Sequence, residues 1–171
     1  MKQGSPFGLK PLIESLRAFI RNPSEGLPED VFLFVSTITP MVNVDLLIKN
    51  EKRQTLLTWR DDGHHPPSWH IPGGVIRYQE TLSDRIRAVA AAELGAEVIF
   101  SRDPLAMNEV ILPSSKIRGH FISLLYACTL SAPPAGDLAY RNGTPKPGQW
   151  AWHDTCPVNL IPVHEMYRAY F

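Results

Sequence analysis

The stretch from Trp69 to Val98, "WHIPGGVIRYQETLSDRIRAVAAAELGAEV", decides how this chain is read. A Pro-Gly-Gly turn runs into a helix with marked ends. Thr81 offers a cap, Asp84 three residues on completes an acidic form of the capping box, and Gly95 stands where a left-handed C-terminal cap belongs. Between them Leu82, Ile86, Val89 and Ala90 make one apolar stripe, and the next position of that stripe is Glu93. A lone buried carboxylate is costly unless it is paired or bound to a metal. Two readings are therefore open: the stripe ends in solvent or meets an arginine at Glu93, or Glu93 holds a metal. Gly73 and Gly74 let backbone groups approach a ligand closely, and a glycine-rich turn before a helix is a natural neighbourhood for anions and metals.

On either side of this stretch the pattern is mixed. Leu12, Leu16, Phe19 and Ile20 lie at helical spacing and predict a first helix over residues 9–20, which "RNPSEGLPED" breaks. Pro28 at a first helical position, followed by Glu29 and Asp30, predicts a second short helix ending before Pro40, although a strand fits the same Val, Phe and Ile residues. These residues, 1–37, read as an N-terminal helical extension, with the main domain over 38–171. Val42, Val44, Leu46 and Ile48 alternate, Asn50 to Arg53 turn, and Thr55 to Trp59 return, which reads as a hairpin. A strand at Val98 to Ser101, a loop, the strand "GHFISLLYACTL", the strand "QWAWHD" and a last helical segment "IPVHEMYRAYF" complete the chain. Strands around one strongly marked helix, with more helix at the end, predict an α/β fold with a mixed sheet and helices on its faces.

The whole-chain numbers bound the partners. The length of 171 residues suits one domain, and 44% apolar with 20% charged residues is ordinary globular composition. Lys+Arg and Asp+Glu are equal at 17 each, so no global field recruits nucleic acid or an anionic membrane, and an anionic ligand needs a local site. Cys128 and Cys156 form neither a CxxC pair nor a disulfide framework. The first thirty residues lack the apolar core of a signal peptide, and no run is long enough to span a membrane, so the expected location is the cytoplasm.

Gly74, five residues, Glu80, seven residues, and a helix ending Ala92-Glu93-Leu94-Gly95 resemble the Nudix box, G-x5-E-x7-R-E-U-x-E-E-x-G-U with U aliphatic. The departures are Ala88 for the box arginine, Val89 for the first helix glutamate and Ala92 for the next, which leaves Glu93. "PGG…ETL…AELG", together with "LPEDVFLFVSTITPMVNVDLLI", "GHFISLLYA" and "VHEMYRAYF" in that order, is similar to the GDP-mannose mannosyl hydrolase branch of the Nudix family.

The resemblance implies an α/β/α sandwich and a magnesium-dependent hydrolase of a nucleoside diphosphate derivative. A GDP-hexose such as GDP-mannose would be substituted at the sugar C1, giving GDP and free sugar. It implies Gly73, through its carbonyl, and Glu93 as metal ligands, Arg60 as the arginine that assists the leaving group, and Asp45 as the acid on the first strand. Read from the pattern alone, Arg60 is equally a solvated strand end and Asp45 an outward residue of an alternating strand. The branch's other arginines fall at Val75 and Ala88, where Arg77 or Arg87 would have to reach the same volume, and its base falls near Lys146 and Pro147. His64, His65, His70, His120, His153 and His164 remain as stand-ins, of which His64, His65 and His153 are best placed. Trp69, Trp150 and Trp152 could stack on a base but read first as core. A small-molecule nucleotide sugar is the implied partner, with the first helices making homodimer contacts. Two other functions stay open: attack at phosphorus on another nucleoside diphosphate derivative, and a non-catalytic binding module.

Overall fold

The computed structural model describes residues 8–63 and 65–171. Helix α1 spans Leu9–Phe19 and helix α2 Glu29–Val35, followed by strands β1 (Met41–Ile48), β2 (Thr55–Arg60), β3 (Ser68–His70) and β4 (Gly73–Val75). Helix α3 (Leu82–Leu94) leads to β5 (Val98–Phe100), β6 (Ala106–Ile111), β7 (His120–Leu130), β8 (Trp150–His153) and a closing 3-10 helix, Pro162–Tyr170. The residues from 31 to 35 are helical, not extended, and Pro28 precedes the first helical residue instead of occupying it. None of the described helices is long and apolar enough to cross a membrane.

One sheet runs β4-β1-β7-β5, with β6 also paired to β7, and a second runs β3-β2-β8. The expected β1–β2 hairpin is thus only its own turn. Asn50 N–H bonds Gln54 O (3.2 Å) and Lys49 bridges Thr55, but beyond that point each strand joins a different sheet. The cause is in β1, which is taken on one edge by β4 and on the other by β7 in parallel, from Met41↔Phe121 to Ile48↔Cys128. On the β4 side, Asn43 to Asp45 pair with β4 and the Leu46 N–H goes to Pro72 O, so β2 meets β1 only at the Lys49 bridge. A second correction concerns the loop between the strands at residues 98 and 120, which contains β6. Its inward positions are Ala106, Asn108 and Val110, whereas Met107 and Ile111 face solvent, so its sequence carries no clean apolar alternation.

Two cores lie on opposite faces of the sheets. Val44, Leu46, Ile48 and Leu56 pack with Ile86, Val89, Ala90 and Leu94 of α3. Leu47, Leu57, Trp59, Trp69, Ile71 and Leu125 pack instead with Leu160 and Tyr167 at the C-terminus. Covered on both sides, β1 is buried continuously from Val44 to Ile48, as strands with two covered faces are. Asp45, on the face the sequence marks as outward, is thereby interior. Trp150 and Trp152 pack partly buried against the first core, and Trp69 is fully part of the second.

The quoted helix forms as its ends dictate. Thr81 Oγ1 accepts the Asp84 N–H at 3.1 Å, and Gly95 adopts φ 59°. Leu82 departs from the stripe and is exposed, while Ile86, Val89 and Ala90 are buried. Arg85, at the foot of α3, is buried and grips Glu80 through Nε–Oε2 (2.8 Å) and Nη2–Oε1 (2.7 Å), and Glu80 also accepts the Arg77 N–H. The hydrogen bonds and the Arg85 cation together hold the Glu80 carboxyl below its ordinary value against the opposing pull of burial. The cation clasping Glu80 comes from Arg85. Arg85→Met would strand Glu80 without its fork-shaped partner and should lower stability in urea by about 3 kcal/mol. Arg85→Lys should recover only part of that loss, and a midpoint unchanged in Arg85→Met would mean that the pair does not brace this turn.

Candidate functional site

Glu93 is only partly exposed and meets no arginine. Its Oε1 accepts the Gly73 N–H at 3.0 Å, and its Oε2 accepts the Thr58 hydroxyl at 2.8 Å and lies 3.3 Å from His70 Nε2. One carboxylate therefore ties the last turn of α3 to β2, β3 and β4. The side chain stays 25% exposed, so lone pairs remain for a further partner.

Gly73 is where this helix, β4 and β1 converge. It pairs with Asp45 across the β1–β4 ladder. A Cβ there would collide with the Asp45 carboxylate and come within 2.9 Å of the Val44 carbonyl, while one at Gly74 would lie 2.9 Å from Val89 Cγ2. The two glycines are needed because strand and helix approach too closely for any side chain.

Asp45 is 4% exposed. Ser123 Oγ and Tyr167 OH (2.7 Å) donate to its Oδ2. Burial pushes the carboxyl up to about 6, more strongly than the hydrogen bonds from Ser123 and Tyr167 pull it down. Nearby, His164 Nδ1 accepts the Ile71 N–H at 3.1 Å, and burial drives this imidazole down to about 3, so it stays neutral. Tyr167 and His164 belong to the segment "VHEMYRAYF". Their spacing of three residues, one turn of a 3-10 helix, puts both on the same inward face.

Arg60 ends β2 and pairs with Asp62 at 2.5 Å. Asp45, Arg60, Gly73 and His164 line one pocket, which Phe32 and Arg118 help to wall. The sequence-predicted residues Asp45, Arg60 and Gly73 are thus brought together directly, and Glu93 joins them through the Gly73 amide. Sequence reading missed Tyr167, Ser123 and Thr58, whose hydroxyls carry no motif of their own.

The histidines separate by position. His65 and His120 line the same pocket, His120 beside Glu109 at 3.3 Å. His70 is committed to Glu93. His153 packs edge-on to Trp69 (4.7 Å between centroids) along a different groove. His64 lies outside the described residues. Around Lys146 the chain is a turn closed on itself, with Lys146 N–H donating to Gln149 Oε1 at 2.8 Å and Gly148 N–H to Trp59 O.

The family model described as "NUDIX domain" matches residues 39–168. Over 113 residues the chain is 33% identical to the Low-salt glycan biosynthesis protein Agl8 of Haloferax volcanii, covering 63% of this chain and 70% of that protein. Among solved structures, a MutT NUDIX hydrolase from Burkholderia pseudomallei aligns with a TM-score of 0.60 at 19% identity, over 77% of this chain and 98% of that one. A NUDIX hydrolase from Nitrosomonas europaea aligns with a TM-score of 0.54 at 14% identity, over 67% and 72%. At such identities the structural likeness speaks to the fold alone, a mixed α/β fold of the kind the sequence predicts.

Because folding raises Asp45 to about 6, the native protein keeps a proton that the unfolded chain releases near its ordinary value of 3.8. The stability this confers is complete below that ordinary value and is lost as pH rises through about 6. Asp45→Asn cannot ionise and escapes the loss. Stability of the variant minus that of the wild type should rise by about 3 kcal/mol between roughly pH 4 and 7. A difference that stays flat over that range would show Asp45 titrating as an ordinary surface carboxylate.

Proposed function

The chain belongs to the Nudix family, and on that premise we propose that it is a magnesium-dependent hydrolase of a nucleotide sugar. The substrate in this reading is a GDP-hexose such as GDP-mannose, cleaved by water at the sugar C1 to give GDP and free sugar. The observation that carries the reading is the single helix carboxylate, Glu93, held on the Gly73 turn beside a pocket containing Arg60 and Asp45. The name of the Haloferax volcanii relative, a glycan biosynthesis protein, supports a link to sugar chemistry.

The donors suit magnesium of a particular kind. That ion takes oxygen ligands, keeps several waters, and is commonly bound by one or two carboxylates together with substrate phosphates. Among the described residues no three His, Cys, Asp or Glu side chains gather that could cage a metal alone. One partly exposed carboxylate fits an ion that arrives with a diphosphate, and Glu93 with the Gly73 carbonyl would hold it. When bound, it would neutralise charge on the departing diphosphate.

The chain's own residues do the rest. Asp45, poised near 6, accepts a proton from water as the water oxygen bonds to C1. The bond from C1 to the diphosphate oxygen breaks, and the electron pair leaves with the diphosphate, whose charge Arg60 stabilises. Attack opposite the leaving group inverts the sugar. His70 and Thr58 fix Glu93, while Ser123 and Tyr167 fix Asp45. The same reading keeps residues 1–37 as an extension of the hydrolase domain. It gives the exposed face of α1, with Leu9, Leu12 and Phe19, to a homodimer, and places the protein in the cytoplasm.

With magnesium and a panel of GDP- and UDP-sugars, phosphorus and anomeric-proton NMR should show GDP and an inverted free sugar. Glu93→Gln should lower kcat/KM at least about 100-fold, given what even outer metal partners contribute. In the wild type kcat/KM should fall as pH drops below about 6, where Asp45 gains its proton. Appearance of a nucleoside monophosphate and a sugar phosphate would instead place attack at phosphorus. Binding shifts without turnover would make the chain a binding module.

A further inference from the structure

Arg118 stands in the turn between β6 and β7, where Leu112 N–H bonds Gly119 O at 2.7 Å. Its backbone is left-handed, φ 51°, a conformation that costs a residue with a side chain and recurs at ligand sites. Contacts from outside the turn hold it there. The Arg118 N–H donates to Ser36 Oγ at 3.1 Å, and Ser36 is buried at the end of α2, its hydroxyl anchored on the Leu33 carbonyl. The guanidinium lies 5.8 Å from the centre of the Phe32 ring, also on α2. Both Phe32 and Arg118 face the pocket that holds Asp45, Arg60 and Gly73.

The charge arrangement is unfavourable as it stands. Arg118 is half-buried, and its guanidinium makes no hydrogen bond or ion pair with the described residues. Arg60 lines the same pocket and lies close enough to oppose its charge. Burial first and the Arg60 cation second weaken its hold on its proton, and the Asp62 carboxylate, itself engaged with Arg60, offsets this only in part. Two cations turned toward one partly dry space are stabilised by an anion between them. A backbone held left-handed from a neighbouring helix keeps one of them aimed there.

We propose that Arg118, aligned by Phe32 and Ser36 of α2, binds the diphosphate of a nucleoside diphosphate ligand together with Arg60. This rests on the nucleotide-sugar reading of the pocket. It also draws α2, which lies before the stretch matched by the family model, into the ligand site.

The test is calorimetric binding of GDP and of guanosine to the full chain with magnesium, for wild type, Arg118→Gln and Arg118→Lys, with each melting temperature recorded. Arg118→Gln should weaken GDP by on the order of tenfold or more, leave guanosine affinity unchanged, and raise KM for the nucleotide sugar more than it lowers kcat. Arg118→Lys should recover part of the GDP affinity. Phe32→Leu, which removes the ring but keeps an apolar contact, should weaken GDP in the same selective way, to a smaller extent. Unchanged GDP affinity in Arg118→Gln, or equal losses for GDP and guanosine, would overturn the assignment while leaving the nucleotide-sugar reading intact. A wild type that binds no nucleoside diphosphate, GDP or UDP, would remove that reading and this one with it.

Discussion

The Glu93 carboxylate at the end of α3 is the joint on which the rest of the site depends. It gathers an amide from the glycine turn, a hydroxyl from β2 and an imidazole from β3. Hydrogen bonds to a charged acceptor are about twice as strong as neutral ones. Two of them, with the His70 imidazole 3.3 Å away, converge on one group where helix and both sheets meet. A bulkier turn would not reach this carboxylate, because Gly73 already lies against Asp45 and Gly74 against Val89. The sequence constraint and the site geometry are in this sense one requirement: strand, turn and helix must pass within backbone distance of each other.

Asp45 shows how the fold makes a reactive group from an ordinary one. On a strand with one covered face it would be solvated and unremarked. The C-terminal 3-10 helix closes the second face and brings Tyr167 to the same oxygen that Ser123 holds. The resulting carboxyl gives up its proton near 6, while His164, on the same pocket, is too dry to take one up there. Two titratable groups share one wall, and burial drives both toward their neutral forms, raising the carboxyl and lowering the imidazole. Asp45 has hydroxyls that favour its charged form, and His164 accepts an amide that favours its neutral form.

Much of this was legible in the chain. Thr81 and Gly95 bound α3 where cap chemistry puts them, and the interruption of the stripe at Glu93 marked a residue of that helix committed elsewhere. The positions assigned to Asp45, Arg60 and Gly73 by likeness to a family come together in space. What could not be read was non-local. The apparent hairpin failed because β1 is claimed by β4 and β7, and nothing in the residues 41–60 records that competition. Strand β6 was hidden because its register comes from β7's backbone and its inner face includes Asn108. Arg85's grip on Glu80 crosses a helix cap, outside the spacings that helical periodicity teaches one to look for.

The parallel pairing of β1 with β7 has a consequence for how the molecule comes into being. Val44 must find Leu124, a partner nearly half the chain away, whereas β6 and β7 are near neighbours that can zip together locally. Closing so long a loop costs entropy before any contact repays it, which slows folding. During synthesis β1 leaves the ribosome long before its neighbour exists. The apolar run from Leu46 to Ile48 then waits with an open edge, and the newborn chain is most exposed to aggregation in that interval.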